Sequence, residues 1–393
     1  MPKKQSQALA NTPMPEVPVN GRVLKWARDL RGLTLDNAAI LLGITPAELR
    51  EYEEGPKKPN VGFLRTMADK YEINFASLLM PEPLPPVQRL TDHRVRHGRA
   101  PLNIDSIIAM DDVEEALEAF SEIASESPRL IPKLNIGTAA LDENPADVAA
   151  RERRKFNVSI EAQRSWPNPK SARTGWRRQV EDRGVFTYFF PMQPPGELSG
   201  FSLLHEGLGA ICVNDREPNE GAKIFTMFHE YCHLLLRQGG ISDENNSDRV
   251  ERFCNKFAAS FLIPRTALVV AIGDVQIPHD FSDSDVKDLA RQFRVSNRAM
   301  AYRLEETALA PNGFYHNRTA PWDIPAIPPK LPKLSAEKMG YLRLLAQAKR
   351  LGRLHSLTVL HANKKHLINS FDASQLIGLK PASFQKLEKV FAR

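Results

Sequence analysis

The chain has 393 residues, of which 42% are hydrophobic and 25% are charged, enough for two or three modules that each bury a core. No uninterrupted apolar run approaches the roughly 18 residues of a membrane span, which argues against a transmembrane protein. The net charge of +6 and the isoelectric point near 9.1 suggest nucleic acid as a partner, but the charge lies in separate blocks along the chain.

Residues 1–20 contain two lysines with no apolar segment behind them, so they do not match a secretory signal and are predicted to be a disordered lead-in. The chain has three cysteines, an odd number far below the density of a secreted disulfide scaffold. Both observations favour a cytoplasmic protein.

Residues 21–80 have the apolar periodicity of a small helical module, which should end at a cluster of prolines, Pro81, Pro83, Pro85 and Pro86. Between Leu30 and Thr45 the pattern is a helix, a short glycine-containing turn and a second helix start, as in a helix-turn-helix. Thr34 and Thr45 are the expected N-caps. With the residues that follow, up to Leu78, this module resembles the Cro/C1 (XRE) helix-turn-helix domain.

The second helix of such a motif enters the DNA major groove. Here it carries four glutamates between Thr45 and Glu54, with Arg50 as its only basic residue, so Thr45 and Arg50 are the candidate DNA-contacting residues. Residues 21–80 contain nine basic and eight acidic residues, little positive charge for binding phosphates. DNA binding and protein docking are equal alternatives for this module.

Residues 81–142 are predicted to form a linker and an acidic amphipathic helix. Eight acidic residues and no basic residue lie between Asp105 and Glu126, while apolar residues from Ile107 to Ile123 recur at helical spacing. The acidic side is interpreted as a solvated face, with a docking surface for a basic partner as the less favoured alternative.

Residues 143–310 are predicted to form an α+β domain. Strands are expected at Val185–Phe190 and Gly209–Val213, followed by helices at Ala222–Leu236 and Asp248–Leu262. Ten basic and four acidic residues lie between positions 151 and 183, which makes this stretch one of the basic blocks.

The first of these helices contains His229-Glu-Tyr-Cys-His233, an HExxH motif. Side chains four residues apart lie on one helix face, so the two imidazoles can bind one Zn²⁺ ion, while Glu230 can reach a water molecule beside it. The metzincin continuation is excluded because Leu236 and Gly239 stand where glycine and histidine would be required.

A catalytic zinc site needs a third protein ligand. Glu251 lies eighteen residues after His233 on the next predicted helix, and Asn255, one turn further, could orient a ligating side chain. The other candidates lie on the connecting segment, Asp243, Glu244 and Asp248. A structural site that includes Cys232 and Cys254 is the alternative, but both cysteines are expected to face the core.

The segments Phe225–Leu236 and Glu251–Pro264 resemble the ImmA/IrrE metallopeptidases, whose pattern is HExxH, then ExxxN and an FAxxLLxP-like run. The resemblance extends from about Trp176 to Leu309. It implies a zincin-like fold in which His229, His233 and Glu251 bind zinc and Glu230 is the general base. The candidates for stabilising the oxyanion are equal in merit, Tyr188, His205 and Tyr302.

A second helix-turn-helix-like stretch runs from Asp283 to Thr307 and is expected to pack on the catalytic domain rather than to bind a DNA groove. Residues 311–334 are predicted to be a proline-rich linker. Residues 335–393 are predicted to be a basic helical tail, since positions 330–393 hold 13 basic and 3 acidic residues.

The sequence thus predicts a multidomain, mainly α protein with a helix-turn-helix domain, a central α+β zincin-like metallopeptidase domain and a small helical C-terminal region. The expected function is that of a zinc-dependent regulatory endopeptidase that cleaves or controls a partner transcriptional repressor. The alternative is a DNA-binding or antitoxin-like regulator whose peptidase fold serves only as a sensing or interaction module. DNA could bind the helix-turn-helix or the basic tail, no membrane contact is expected, and nothing in the sequence indicates the oligomeric state.

Overall fold

The computed structural model describes residues 16–31, 33–71, 73, 75–83, 104–192, 198–237, 247–318 and 336–391. The chain divides into two compact units, one made of Met1–Arg89 and Val95–Met110, the other of Leu90–Arg94 and Asp111–Arg393. The fold is mainly helical with one small sheet, which confirms the predicted fold class. Within the described ranges no single helix is long and apolar enough to cross a membrane. One bent helix pair, Asp248–Leu262 with Arg265–Ile272, has the length and composition of a membrane span, by those two criteria alone.

The first unit contains the helix-turn-helix. Its described α-helices are α1 (Gly21–Leu30), α2 (Leu35–Leu42), α3 (Pro46–Glu53) and α4 (Val61–Tyr71), followed by a 3₁₀ helix at Phe75–Leu79. The hydroxyls of Thr34 and Thr45 cap α2 and α3 as predicted, each accepting a backbone N–H hydrogen bond. Gly43, at a φ of 71°, ends α2 in the left-handed conformation that lets the chain turn into α3.

The structure corrects part of the predicted lead-in. Residues 16–20 are attached to the helix-turn-helix unit, because the Val17 N–H donates to the Pro59 carbonyl at 2.9 Å and the Val19 side chain is buried. Asn20 caps α1 by accepting from the Arg22 N–H. Residues 1–15 lie outside the described residues.

The second unit is built around a three-stranded sheet. Its strands are β1 (Val185–Phe190), β2 (Gly200–His205) and β3 (Leu208–Asn214), in the order β1-β3-β2. The central strand β3 pairs in parallel with β1 and antiparallel with β2. The sequence predicted β1 and β3 but missed β2.

The second unit contains the remaining described helices, and α5 spans the boundary between the two ranges at Met110. In chain order they are α5 (Ile104–Glu126), α6 (Pro145–Arg153), α7 (Ile160–Ser165), α8 (Pro169–Glu181), α9 (Glu220–Leu235), α10 (Ser247–Leu262), α11 (Arg265–Ile272), α12 (Asp283–Phe293), α13 (Asn297–Glu306), α14 (Phe314–Arg318), α15 (Ala336–Lys364), α16 (Ser370–Ile377) and α17 (Phe384–Phe391).

One face of the sheet lies in an apolar core shared with α8, α9 and α10. Phe189 of β1 and Ile211 of β3 belong to this core together with Trp176, Phe228 and Phe261. The Phe228 and Phe261 rings stack with centroids 4.1 Å apart, which joins α9 to α10. This core holds the HExxH helix against the sheet.

The opposite face of the sheet is covered by α5 and α15. Phe120 of α5 stacks on Phe186 of β1 at 4.5 Å, and the Tyr188 hydroxyl lies 3.0 Å from Nδ1 of His355 on α15. The C-terminal helices therefore belong to the same compact unit as the central domain, whereas the sequence predicts a separate helical tail. Burial of Phe314 on α14 likewise shows that the region after residue 310 begins as packed helix.

Helix α15 is broken at Gly352, where φ is +84°. The buried guanidinium of Arg177 donates to the carbonyl groups of residues 349 and 350, at the end of the first half of the helix. Glu181, paired with Arg177 at 2.9 Å, accepts from the N–H groups of residues 353 and 354 that begin the second half. One buried ion pair thus caps both sides of the break.

Substituting Gly352 tests this arrangement. Gly352→Ala should destabilise the protein by about 2 kcal/mol or more, because alanine is strained at this φ and its Cβ would meet the charged groups of Arg177 and Glu181. Gly340→Ala on the same helix is the control: its Cβ meets nothing within 4 Å, so it should be neutral or stabilising by up to about 1 kcal/mol. Urea denaturation measures both, and equal effects would contradict the proposed role of the break.

His355 gives the fold a pH dependence. Its Nδ1 accepts from Tyr188, its Nε2–H donates to the Leu376 carbonyl at 2.9 Å, and burial lowers its pKa from 6.5 to about 4, with the Arg177 charge acting in the same direction. As the pH falls, His355 is protonated in the unfolded chain before it is protonated in the folded protein. The free energy of unfolding is therefore highest above about pH 6.5 and decreases between that value and pH 4.

The unfolding free energy of His355→Gln should lack this pH dependence. The stability difference between wild type and His355→Gln should therefore narrow by about 2 kcal/mol between pH 7.5 and pH 5. If the difference in unfolding free energy between wild type and His355→Gln stayed constant with pH, it would contradict the claim that the buried imidazole of His355 is neutral.

Candidate metal centre

The HExxH motif lies on α9, which begins at the N-cap Asn219 and is amphipathic. Phe228 and Tyr231 point into the apolar core, while His229 and His233 lie together on the side of the helix that faces α10. The helical spacing thus fixes two imidazoles on a rigid, buried element.

Glu251 of α10 completes a three-residue cluster with these histidines. The two Nε2 atoms are 3.1 Å apart, Glu251 Oε2 lies 3.2 Å from His229 Nε2, and Glu251 Oε1 lies 3.7 Å from His233 Nε2. Two imidazole nitrogens and one carboxylate, with ligand atoms within 4.8 Å of one another, form a donor set that suits zinc. Such a set leaves a coordination position for water or substrate.

Asn255 orients one of the imidazoles. Its Oδ1 lies 2.9 Å from His229 Nδ1 and accepts the hydrogen bond, which leaves the lone pair of Nε2 directed at the cluster. The sequence predicted an amide in this role one turn after Glu251. In the structure the amide contacts His229.

The electrostatic environment of the cluster favours positive charge. Burial lowers the pKa of His229, but the hydrogen bond with Glu251 and the charges of Glu230 and Glu251 together raise it to about 9. For His233, burial again lowers the pKa, while Cys254 and Glu230 outweigh it and raise the value above its ordinary range. A cluster of side chains that attracts a proton this strongly also attracts a metal cation, and the two compete.

Glu230 is held beside the cluster by a residue that the sequence analysis missed. The Ser202 hydroxyl on β2 donates to Glu230 Oε2 at 3.0 Å, and both side chains are buried. Gly200 lets β2 approach α9, since a Cβ there would lie 2.7 Å from the Thr226 methyl group. The short alternating segment Gly200–His205 was the available signal for this strand.

The cysteines lie outside the metal-binding group. Cys232 and Cys254 are fully buried in the apolar core, and burial raises the pKa of the Cys254 thiol well above its usual range. Among the described residues, the ligand group contains the two histidines and Glu251 without a thiol. This arrangement favours an open catalytic site over a closed structural one. Of the other candidate ligands, Asp248 is exposed at the start of α10, and positions 243 and 244 lie outside the described residues.

Two of the three oxyanion candidates are wrong. Tyr188 and His205 alternate with the strand residues that face α9, so they lie on the other side of the sheet, and Tyr188 is bonded to His355 there. Tyr302 of α13 packs its ring against Tyr315, with centroids 5.6 Å apart.

In the helix-turn-helix unit, α3 is less acidic on its surface than its sequence suggests. Glu53 is buried in a two-bond ion pair with Arg28, at 2.7 and 2.9 Å, and Glu48 pairs with Lys57 at 2.7 Å. Arg50 is exposed on α3, whereas the Thr45 hydroxyl is engaged as its N-cap.

The second helix-turn-helix-like stretch, α12 and α13, packs into the core of the second unit as expected. Met300 and Leu304 are fully buried there, and the Arg303 guanidinium, also buried, donates to the Ile263 carbonyl at 2.9 Å. These contacts leave this stretch in a structural role.

Comparison with known families agrees with the two motifs. Residues 180–305 match the Peptidase M78 family, described as the IrrE N-terminal-like domain, and residues 24–78 match the helix-turn-helix family. No curated protein matches the chain. The matches confirm the resemblance to ImmA/IrrE peptidases and to XRE-type helix-turn-helix domains, and the first of them spans the whole His229–Asn255 region.

Removing the amide that holds His229 should weaken metal binding. Asn255→Ala is expected to lower zinc affinity about 10- to 100-fold, because the imidazole loses its orienting hydrogen bond. Competition with a chromophoric chelator measures the affinity, and Asn312→Ala, at an exposed position, is the control. Unchanged affinity in a folded Asn255→Ala protein would contradict this role.

Proposed function

We propose that this protein is a cytoplasmic zinc-dependent endopeptidase that regulates a partner transcription factor by cleaving it. The observation that carries the proposal is the convergence of His229, His233 and Glu251 beside Glu230, which Ser202 holds in place. The match to the Peptidase M78 family supports a metallopeptidase.

In the proposed site, His229, His233 and Glu251 hold the metal. When bound, zinc supplies Lewis acidity, which polarises a carbonyl group and lowers the pKa of water towards about 7. Glu230 accepts the proton of the attacking water and passes it to the departing amine. Ser202 hydrogen-bonds one carboxylate oxygen and so fixes the orientation of this base.

The sheet supports a peptide as the substrate. Among the described strands β2 is at the edge of the sheet, and its residue Ser202 contacts Glu230. An extended peptide can add to such an edge through backbone hydrogen bonds, which would bring its carbonyl groups past the base.

The second candidate function is that of a DNA-binding regulator in which the peptidase fold serves as a sensing module. The helix-turn-helix match and the exposed Arg50 favour DNA contact, and pairing of Glu48 and Glu53 inside the unit reduces the repulsion of phosphate. This function predicts operator binding that falls steeply with salt, is lost on deleting residues 21–80 and survives His229→Ala.

Glu230→Gln tests the peptidase directly. The purified chain should bind one zinc ion and cut a transcriptional repressor encoded beside it at a defined bond, in a chelator-sensitive reaction read by mass spectrometry. Glu230→Gln should retain zinc and lower the cleavage rate about 10²- to 10⁴-fold, because the general base is lost. Glu118→Gln, an exposed change on α5, should cleave at the wild-type rate. Wild-type cleavage by zinc-loaded Glu230→Gln would overturn the proposal.

A further inference from the structure

A groove lies between α5 and α16, on the side of the sheet opposite the metal centre. Phe120 places α5 on that side by stacking on Phe186 of β1. The concavity has a volume of about 370 Å³ and is lined by α5 from Glu115 to Glu126 and by the chain from Leu367 to Leu376. It is therefore distinct from the peptidase site.

Four carboxylates line this groove, those of Glu115, Glu122, Glu126 and Asp372. The three glutamates follow one stripe of α5 and are exposed, as is Asp372 in the first turn of α16. In the part of the chain that the structure describes, no ion pair joins any of the four to a basic side chain. Among the described residues their negative charge is therefore not neutralised by an ion pair.

The floor of the groove is apolar. It is formed by Ala119 and Ile123 of α5 with Leu367, Ile368 and Leu376 opposite. Phe371 also lines the groove, with 69% of its surface exposed, so its ring is accessible to a partner. An acidic rim around an apolar floor favours a binding surface over the solvated helix face that the sequence predicts.

We propose that this groove binds a cationic amphipathic helix of a partner protein, with an apolar row on the floor and lysine or arginine residues along both sides. The lined stretch of α5, residues 115–126, is about 18 Å long at 1.5 Å per residue and matches a helix of about three turns. Phosphate-rich nucleic acid and anionic lipid would be repelled by the four carboxylates. A purely apolar segment would bury them without partners.

The groove is independent of catalysis, so the test uses full-length Glu230→Gln protein loaded with zinc. The probe is a fluorescein-labelled 16-residue peptide with leucine at helical spacing and lysine elsewhere, and the comparison peptide has glutamate in place of lysine. Fluorescence polarisation measures the affinity, and mass spectrometry checks that the peptide stays intact. Cleavage of the peptide by this variant would contradict the role of Glu230 as the general base. The binding proposal is judged separately, from the affinities of the intact peptides.

The lysine peptide should bind, more weakly at higher salt, and the glutamate peptide should not. The pair of changes Glu122→Lys and Asp372→Lys should weaken binding about tenfold or more, and Phe371→Ala should weaken it severalfold. Glu118→Lys, exposed on α5 but outside the groove lining, is the charge-matched control for Glu122→Lys alone and should change the affinity less than twofold.

The proposal is overturned if the double reversal binds as tightly as the parent protein. It is overturned as well if Glu118→Lys weakens binding as much as Glu122→Lys alone, because the peptide would then respond only to net charge. It is also overturned if the labelled glutamate peptide by itself binds the parent protein as tightly as the lysine peptide does.

Discussion

The packing of α9 against α10 is the contact on which the candidate metal centre depends. Each helix alone carries half of the site, His229 and His233 on one and Glu251 with Asn255 on the other. The stacked rings of Phe228 and Phe261 and the surrounding apolar core hold the two helices together. Because the polar cluster lies at the border of that core, its charges interact in a low-dielectric setting, which strengthens their attraction for a cation.

The same sheet carries a second layer on its other face, and a buried ion pair attaches it. Removing Arg177 and Glu181 from water is costly, and the cost is offset by four hydrogen bonds to the backbone on both sides of Gly352. The C-terminal helices are thereby part of the domain that carries the metal centre. A partner bound in the groove between α5 and α16 would contact this domain on the face opposite the candidate metal centre.

Helical and strand periodicity predicted β1, β3, α9 and α10 to within a few residues, and the HExxH spacing brought His229 and His233 onto one face. Ser202 could not be found in this way, because its contact with Glu230 depends on a strand pairing that no local pattern specifies. The same holds for Glu53, which counts as surface charge in the sequence but is neutralised by Arg28, 25 residues away. Tyr188 was misassigned because the face of β1 that α9 covers is decided by tertiary packing.

A three-ligand zinc site at His229, His233 and Glu251 is tested most directly by zinc K-edge X-ray absorption of the purified full-length chain. The predicted spectrum contains nitrogen and oxygen neighbours at about 2.0–2.2 Å and no sulfur neighbour, and Glu251→Ala should bind zinc more weakly than wild type. Sulfur neighbours at about 2.3 Å would place Cys232 and Cys254 on the metal and make the site structural. That result, or a chain that binds no zinc, would contradict a catalytic metal centre.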